Sequence, residues 1–327
     1  MKRRIVVMML LGAMGMLILN GCTSKEELEN EQAYRTIGIN DLKSGEYEDA
    51  IEAFDKALEV KSGGSVTNLE IDINYYKALA QYKNGDSDGA IETYTAIISY
   101  DEEAADAYYL RGNVYLQEEE SKKAIADFEK AIELAEDFGE MSNQVGTALI
   151  GADMEDEAAT YLNEVISKGG SSGEELYNVG NAYYLLEEYD QAISTLEEAK
   201  SSNDDATLLL AEVYLAKGET GNATAQIEEY TSSHSEDGEA LNLAGCVAMQ
   251  NEDYETAISC FSKGLEIEDV ENEQELLQNE IAAYEYAGDF DTAYSLMQDY
   301  LEKYPEDEDA VRENTFLQTR VSGSEDS

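Results

Sequence analysis

The sequence predicts an all-α chain folded as a solenoid of helical hairpins. Three observations carry that reading: the chain repeats itself at a period near 34 residues, apolar residues within each period recur at spacings of three and four, and only one proline stands among 327 residues. A single pair of amphipathic helices cannot bury its apolar face alone, so stacked copies must share a continuous core.

The chain opens with an address rather than a fold. Lys2, Arg3 and Arg4 precede an apolar run from Ile5 to Leu19, which is the basic start and short apolar core of an export signal. That run falls short of the roughly 20 apolar residues that span a bilayer. Leu19-Asn20-Gly21-Cys22 follows, and it resembles the bacterial lipoprotein signal. The resemblance implies cleavage after residue 21, lipidation of Cys22 with palmitate-type chains, and a short tether over residues 22–30. It also implies an address on the extracytoplasmic face of a bacterial membrane: the outer face of the cell membrane, or the outer membrane where the host has one. An ordinary secretory signal and an uncleaved signal anchor are the alternatives.

Charge then restricts function. The chain carries 72 Asp and Glu against 21 Lys and Arg, a net charge of −51, and residues 22–327 alone carry −54. So acidic a surface repels phosphate backbones, which excludes nucleic acid as a partner. One histidine, His234, leaves no His-rich metal site. At 43% apolar residues the chain is nevertheless globular in composition. From residue 169 onward the net charge is −32, against −22 over residues 22–168, so the second half is the more acidic.

The repeat units start near residues 31, 71, 105, 139, 173, 204, 238 and 274, and the last ends near 307. Gly38 leads Ala50, Phe54 and Ala57; Gly112 leads Ala124, Phe128 and Ala131; Gly180 leads Ala192, Leu196 and Ala199; Gly245 leads Ala257 and Phe261. In each copy the small residue precedes the alanine by 12, with weaker copies between, such as Ala78 with Ala90 and Gly146 with Ala158. This pattern resembles the tetratricopeptide repeat. Tyr34, Tyr108, Leu176 and Leu241 replace its tryptophan, and its closing proline survives only as Pro305. Elsewhere Gly, Ser and Asn must end the second helix by turn chemistry. The resemblance implies a right-handed superhelix of about eight repeats whose first helices line a concave face. Residues 308–320 then form a capping helix and residues 321–327 an acidic tail.

Chemistry-bearing motifs are few. Asn84-Gly85-Asp86-Ser87-Asp88-Gly89 imitates the start of a calcium loop, but position twelve is Thr95 rather than a bidentate glutamate. Cys246 and Cys260 lie on the two helices of one unit, where a disulfide and two buried thiols are both open readings. His234 falls in an inter-repeat turn with no nucleophile motif beside it, and no cofactor motif occurs.

What remains is the concave face. By the resemblance its lining is Tyr75, Leu79, Tyr82, Tyr109, Asn113, Leu116, Asn143, Thr147, Tyr177, Asn181, Tyr184, Asn242 and Met249. Asparagine can donate and accept along an extended backbone, and tyrosine offers broad contact with few rotors to freeze. The carboxylate clamp of chaperone-binding members is not supported, since Arg35 is the sole cation at a fifth position. The expected function is a membrane-anchored, non-enzymatic interaction scaffold that docks a partner's peptide or helix, favouring basic or extended segments, in envelope assembly, secretion or cell-wall remodelling. A glycan- or divalent-cation-binding surface lipoprotein is the alternative, and a homo-oligomer stays open.

Overall fold

The computed structural model describes residues 25–60, 65–232, 234, 237–305 and 307–324, so the expected signal and Cys22 lie outside the described residues. Among the described residues every regular element is helical. The helices are α1 (Lys25–Lys43), α2 (Tyr47–Glu59), α3 (Asn68–Lys83), α4 (Ser87–Tyr100), α5 (Ala105–Gln117), α6 (Ser121–Leu134), α7 (Phe138–Gly151), α8 (Glu155–Lys168), α9 (Gly173–Leu185), α10 (Tyr189–Ala199), α11 (Asp205–Ala216), α12 (Thr220–Thr231), α13 (Gly238–Gln250), α14 (Tyr254–Leu265), α15 (Glu273–Ala287), α16 (Phe290–Lys303) and α17 (Glu308–Ser324). They form two compact units that divide between Tyr161 and Leu162, inside α8.

Two boundaries differ from expectation. α1 begins six residues ahead of 31, because Lys25, Glu26, Glu27 and Glu29 are strong helix formers and Lys25 pairs with Glu29 at 3.3 Å across one turn. The expected tether is therefore helical from residue 25. α17 runs past 320 to Ser324, its last turn carried by the half-buried Val321.

Every hairpin closes with the same turn. The fifteenth residue of each unit is left-handed: Gly45, Gly85, Glu119, Asp153, Glu187, Gly218, Glu252 and Gly288, with φ from 57 to 83°. The next amide donates back five residues, as from Glu188 to the Tyr183 carbonyl at 2.9 Å and from Asp289 to Tyr284 at 2.9 Å. This 6→1 bond satisfies a carbonyl that the helix end would orphan. Four units accept a carboxylate residue where glycine would be unstrained, at about 1–2 kcal/mol each. Glu187→Gly is accordingly expected to raise stability by about 0.5–1 kcal/mol after glycine's larger unfolded-state entropy is deducted. Paired urea melts with wild type check it, and a lower midpoint would contradict it.

Within each hairpin the small eighth residue lets the helices touch. A Cβ on Gly38 would meet Phe54 at 2.6 Å, one on Gly112 Phe128 at 2.6 Å, one on Gly180 Leu196 at 2.6 Å, and one on Gly245 Phe261 at 2.3 Å. Those four large side chains are fully buried. Neighbouring hairpins are then tied by polar contacts. Arg111 donates from Nε and Nη2 to the Asp127 carboxylate at 2.7 Å each and from Nη1 to Thr95 Oγ1 at 2.8 Å, with its guanidinium against the Tyr108 and Tyr115 rings. In two units, one without the closing proline and one with Pro305, a Tyr and Asp pair ends the unit. Tyr230 donates to Asp237 at 3.0 Å while Asp237 caps α13 through the Ala240 amide, and Tyr300 and Asp307 repeat the device at 2.7 Å with the Ala310 amide.

Candidate functional site

The first helices carry the expected lining. In the first unit, Tyr75 and Tyr82 on α3 pack against Ala78, Tyr94, Ala107 and Val114, with the Tyr75 and Tyr94 rings 6.3 Å apart. Burial pushes the Tyr75, Tyr82 and Tyr109 phenols upward, and carboxylates at the rim add to the first two: Asp106 and Asp101 beside Tyr75, Glu118 beside Tyr82. Tyr109 on α5 leans on Phe128 at 5.9 Å. These tyrosines are half-buried, each with part of its ring packed on the core. Leu79, Asn113 and Leu116 are half-buried and Thr147 is exposed, its hydroxyl donating to the Asn143 carbonyl at 2.9 Å.

The second unit divides similarly. Tyr177 and Tyr184 on α9 pack beside Leu196, Leu210 and Val213, and Tyr184 meets Tyr189 at 6.3 Å. Asn181 on the same helix and Met249 on α13 are half-buried. Two asparagines are withdrawn from the surface: Asn143 at 3% and Asn242 at 7% exposure. Asn242 is spent on a tie between first helices, donating to Glu275 at 2.9 Å and accepting from Asn279 at 2.8 Å. For Asn242 the next repeat supplies both partners, which helix periodicity within one repeat does not reveal.

One row escaped the sequence reading. The second residue of successive units is acidic: Asp72, Asp106, Glu140, Glu174, Asp205, Glu239 and Glu275. All but Asp72 stand in the first turn of a first helix, where the positive end of the helix dipole favours them. The register was visible, but 72 acids hide seven. In the second unit the row interacts with itself: burial, then Asp237, Glu275, Asp205 and Glu271, pushes the Glu239 carboxyl up to about 6. In the first unit, Asp72 holds Arg35 at 2.5 Å, with the guanidinium 5.1 Å from the Tyr76 ring centroid. The one fifth-position cation is therefore committed within the chain.

Other cations are bound similarly, including Lys77 to Asp55 at 2.6 Å, Lys200 to Glu229 at 3.2 Å, and Lys217 to Asp190 and Glu219 at 2.8 Å each. The remaining carboxylates give the surface its sign. Asp86, the third residue of the calcium-like segment, caps α4 by accepting from the Gly89 amide at 3.0 Å. Cys246 and Cys260 are both free thiols, so the disulfide reading is set aside. Burial first, then Glu275 and Glu212, pushes Cys246 up to about 12, where it is protonated and a poor nucleophile. His234 stacks on Tyr230 with centroids 4.2 Å apart. No helix among the described residues is long and apolar enough to cross a membrane.

Residues 75–137, 176–206, 238–270 and 281–307 match models of the tetratricopeptide repeat. The DnaJ homolog subfamily C member 3 of Gallus gallus is 30% identical over 188 residues, a match covering 52% of this chain and 37% of that protein. The chain thus spans just over a third of that relative's length. Among solved structures, a tetratricopeptide repeat protein from Parabacteroides merdae ATCC 43184 superposes with a TM-score of 0.48 at 16% identity, covering 77% of this chain and 99% of that one. The APC/C hetero-tetramer Cut9-Hcn1 gives 0.46 at 15% identity, covering 90% and 78%.

Proposed function

From the tetratricopeptide repeats that this chain carries, whose fold is an all-α array of helical hairpins, we infer a scaffold that binds protein partners on the face lined by its first helices. We further propose that it works outside the cytoplasm on a bacterial membrane, anchored through lipid on Cys22. The observation that carries the binding reading is the composition of the first helices, taken in each compact unit by itself: half-buried Tyr75, Tyr82, Leu79 and Leu116 in the first, and half-buried Tyr177, Tyr184 and Asn181 in the second, each with acidic residues at the second position of its repeats. Such a surface offers apolar contact and hydrogen bonds to an extended segment, and its charge selects cationic ones, mainly through association rate. The lining lacks an uncommitted cation at the fifth position that would grip a terminal carboxylate, so recognition runs along the segment rather than at its end.

A photo-crosslinking amino acid in living cells tests both parts. Placed at Asn181, it should yield a defined polypeptide adduct, and placed at Ser194 on the second helix of the same hairpin it should yield none. Equal labelling at both positions, or none at Asn181, removes the groove. In the same cells Cys22→Ser should move the protein from the membrane fraction or leave it unprocessed. Unchanged fractionation and processing would remove the lipid anchor.

A further inference from the structure

An exposed aromatic pair in the second unit involves none of the lining residues named above. Tyr286 near the end of α15 is 69% exposed. Its ring stacks on Tyr254, the first residue of α14, with centroids 5.9 Å apart and planes inclined by 21°. One unit further on, the same register is filled differently. Phe290, the first residue of α16, is covered from α17 by Arg320, whose guanidinium carbon lies 5.7 Å from its ring centroid and 4.8 Å from that of Phe316. Arg320 follows Tyr286 by 34 residues, one repeat period. Helix α17 thus seats a guanidinium on Phe290 where α15, one repeat earlier, presents a second ring to water beside Tyr254.

This pairing recurs through the chain. Arg35 lies on Tyr76, Arg111 against Tyr108 and Tyr115, and Lys123 on Tyr115 with Nζ 4.9 Å from the centroid. Around Tyr254 and Tyr286 the chain has little cation to offer: residues 218–302 hold 21 acids and one Lys or Arg, Lys263. Glu252, Asp253 and Glu255 flank one ring in sequence, and Glu285 and Asp289 the other. A π face bordered by carboxylates favours a cation, and a planar guanidinium, which stacks as well as pairs, more than an ammonium.

We propose that the Tyr254 and Tyr286 pair is a docking point for an arginine side chain of a partner polypeptide. Neither ring is one of the lining residues named above, so the two sites are tested by different substitutions. In solution at about 0.15 M salt, where long-range attraction between exposed charges is screened, the probes are the labelled peptides acetyl-(Gly-Arg)4-amide and acetyl-(Gly-Lys)4-amide. Residues 23–327 should bind the arginine peptide more tightly. Tyr286→Ala should weaken that binding about three- to fivefold, the usual worth of an exposed cation–π contact, and shrink the preference over lysine. Tyr286→Phe should leave it unchanged. Tyr286→Arg, which places on α15 the group that Arg320 supplies from α17 one repeat on, should weaken it at least as much as alanine. Tyr100→Ala, removing a tyrosine 53% exposed in the first unit, should not matter. Equal affinity in wild type and Tyr286→Ala, or equal losses at Tyr100 and Tyr286, would reduce the binding to general electrostatics and overturn the assignment. Thermal melts of each variant confirm equal folding, and the Phe and Arg variants decide the matter should alanine lower the melting temperature.

Discussion

Phe128→Ala is expected to cost about 3–5 kcal/mol, the range for emptying a buried aromatic site. Phe128 is wholly buried and sits against the Cα of Gly112, with Tyr109 over it at 5.9 Å. Removing the ring leaves a cavity between α5 and α6 that two helices clamped by one tight turn cannot close. The reverse change makes the same point from the other side. Gly112→Ala puts a methyl 2.6 Å from Phe128 Cε1, and the ring has nowhere to retreat, so about 1–3 kcal/mol is expected. Repeat arrays lose stability locally before they lose it globally. Amide exchange should therefore accelerate first in α5 and α6, and mass-spectrometric exchange resolves it. Uniform acceleration along all helices, or a loss below about 1 kcal/mol for Phe128→Ala, would deny the contact its role.

Acidification should stabilise the protein through the range in which many proteins begin to weaken. Burial first, then Glu313, pushes the Glu285 carboxyl up to about 7, and burial first, then Asp237, Glu275 and Asp205, pushes Glu239 up to about 6. Burial also raises Asp106. A carboxyl raised in the folded state favours folding while protonated. Its contribution is fully present below the unfolded value of 4.5 and is lost as pH rises through 6 to 7. Glu175, which accepts the amides of Ser171 and Ser172, is lowered instead, and its contribution fades at the acid end. The stability maximum therefore falls near pH 5 to 6. Glu239 and Glu285 keep contact with water, so about 1–2 kcal/mol separates pH 5.5 from pH 8 rather than the full value of the shifts. Urea melts at the two pH values measure it, and Glu285→Gln should flatten part of the difference. Equal or greater stability at pH 8 would contradict the assignment.

Much of this architecture was legible in the spacing. The 12-residue step from Gly112 to Ala124 and the aromatic at 128 state that two helices touch at a small residue, and that is how they meet. Depth was not legible. Tyr75 and Tyr109 occupy concave register positions and are half-buried with their rings against Tyr94 and Phe128, and Asn242 is consumed by Glu275 and Asn279. Whether a side chain at a given angle is open or covered depends on residues one repeat away, in a helix whose lateral shift no single repeat encodes. The start of α1 was missed for a simpler reason: Glu26, Glu27 and Glu29 read as a polar tether, and polar residues of that kind are good helix formers. The acidic row failed to stand out because acids are common everywhere in the chain.

The common hairpin turn has a kinetic meaning. Because each turn brings together residues about 16 positions apart, such as Gly112 and Phe128, most stabilising contacts are local in sequence, and chains of low contact order fold within microseconds to milliseconds. A hairpin can close as soon as its own two helices exist, using its predecessor as a template and waiting for nothing downstream. A chain that emerges end first, from a ribosome or through a pore, can therefore crystallise its structure in the order in which it arrives, like a zip drawn from one end.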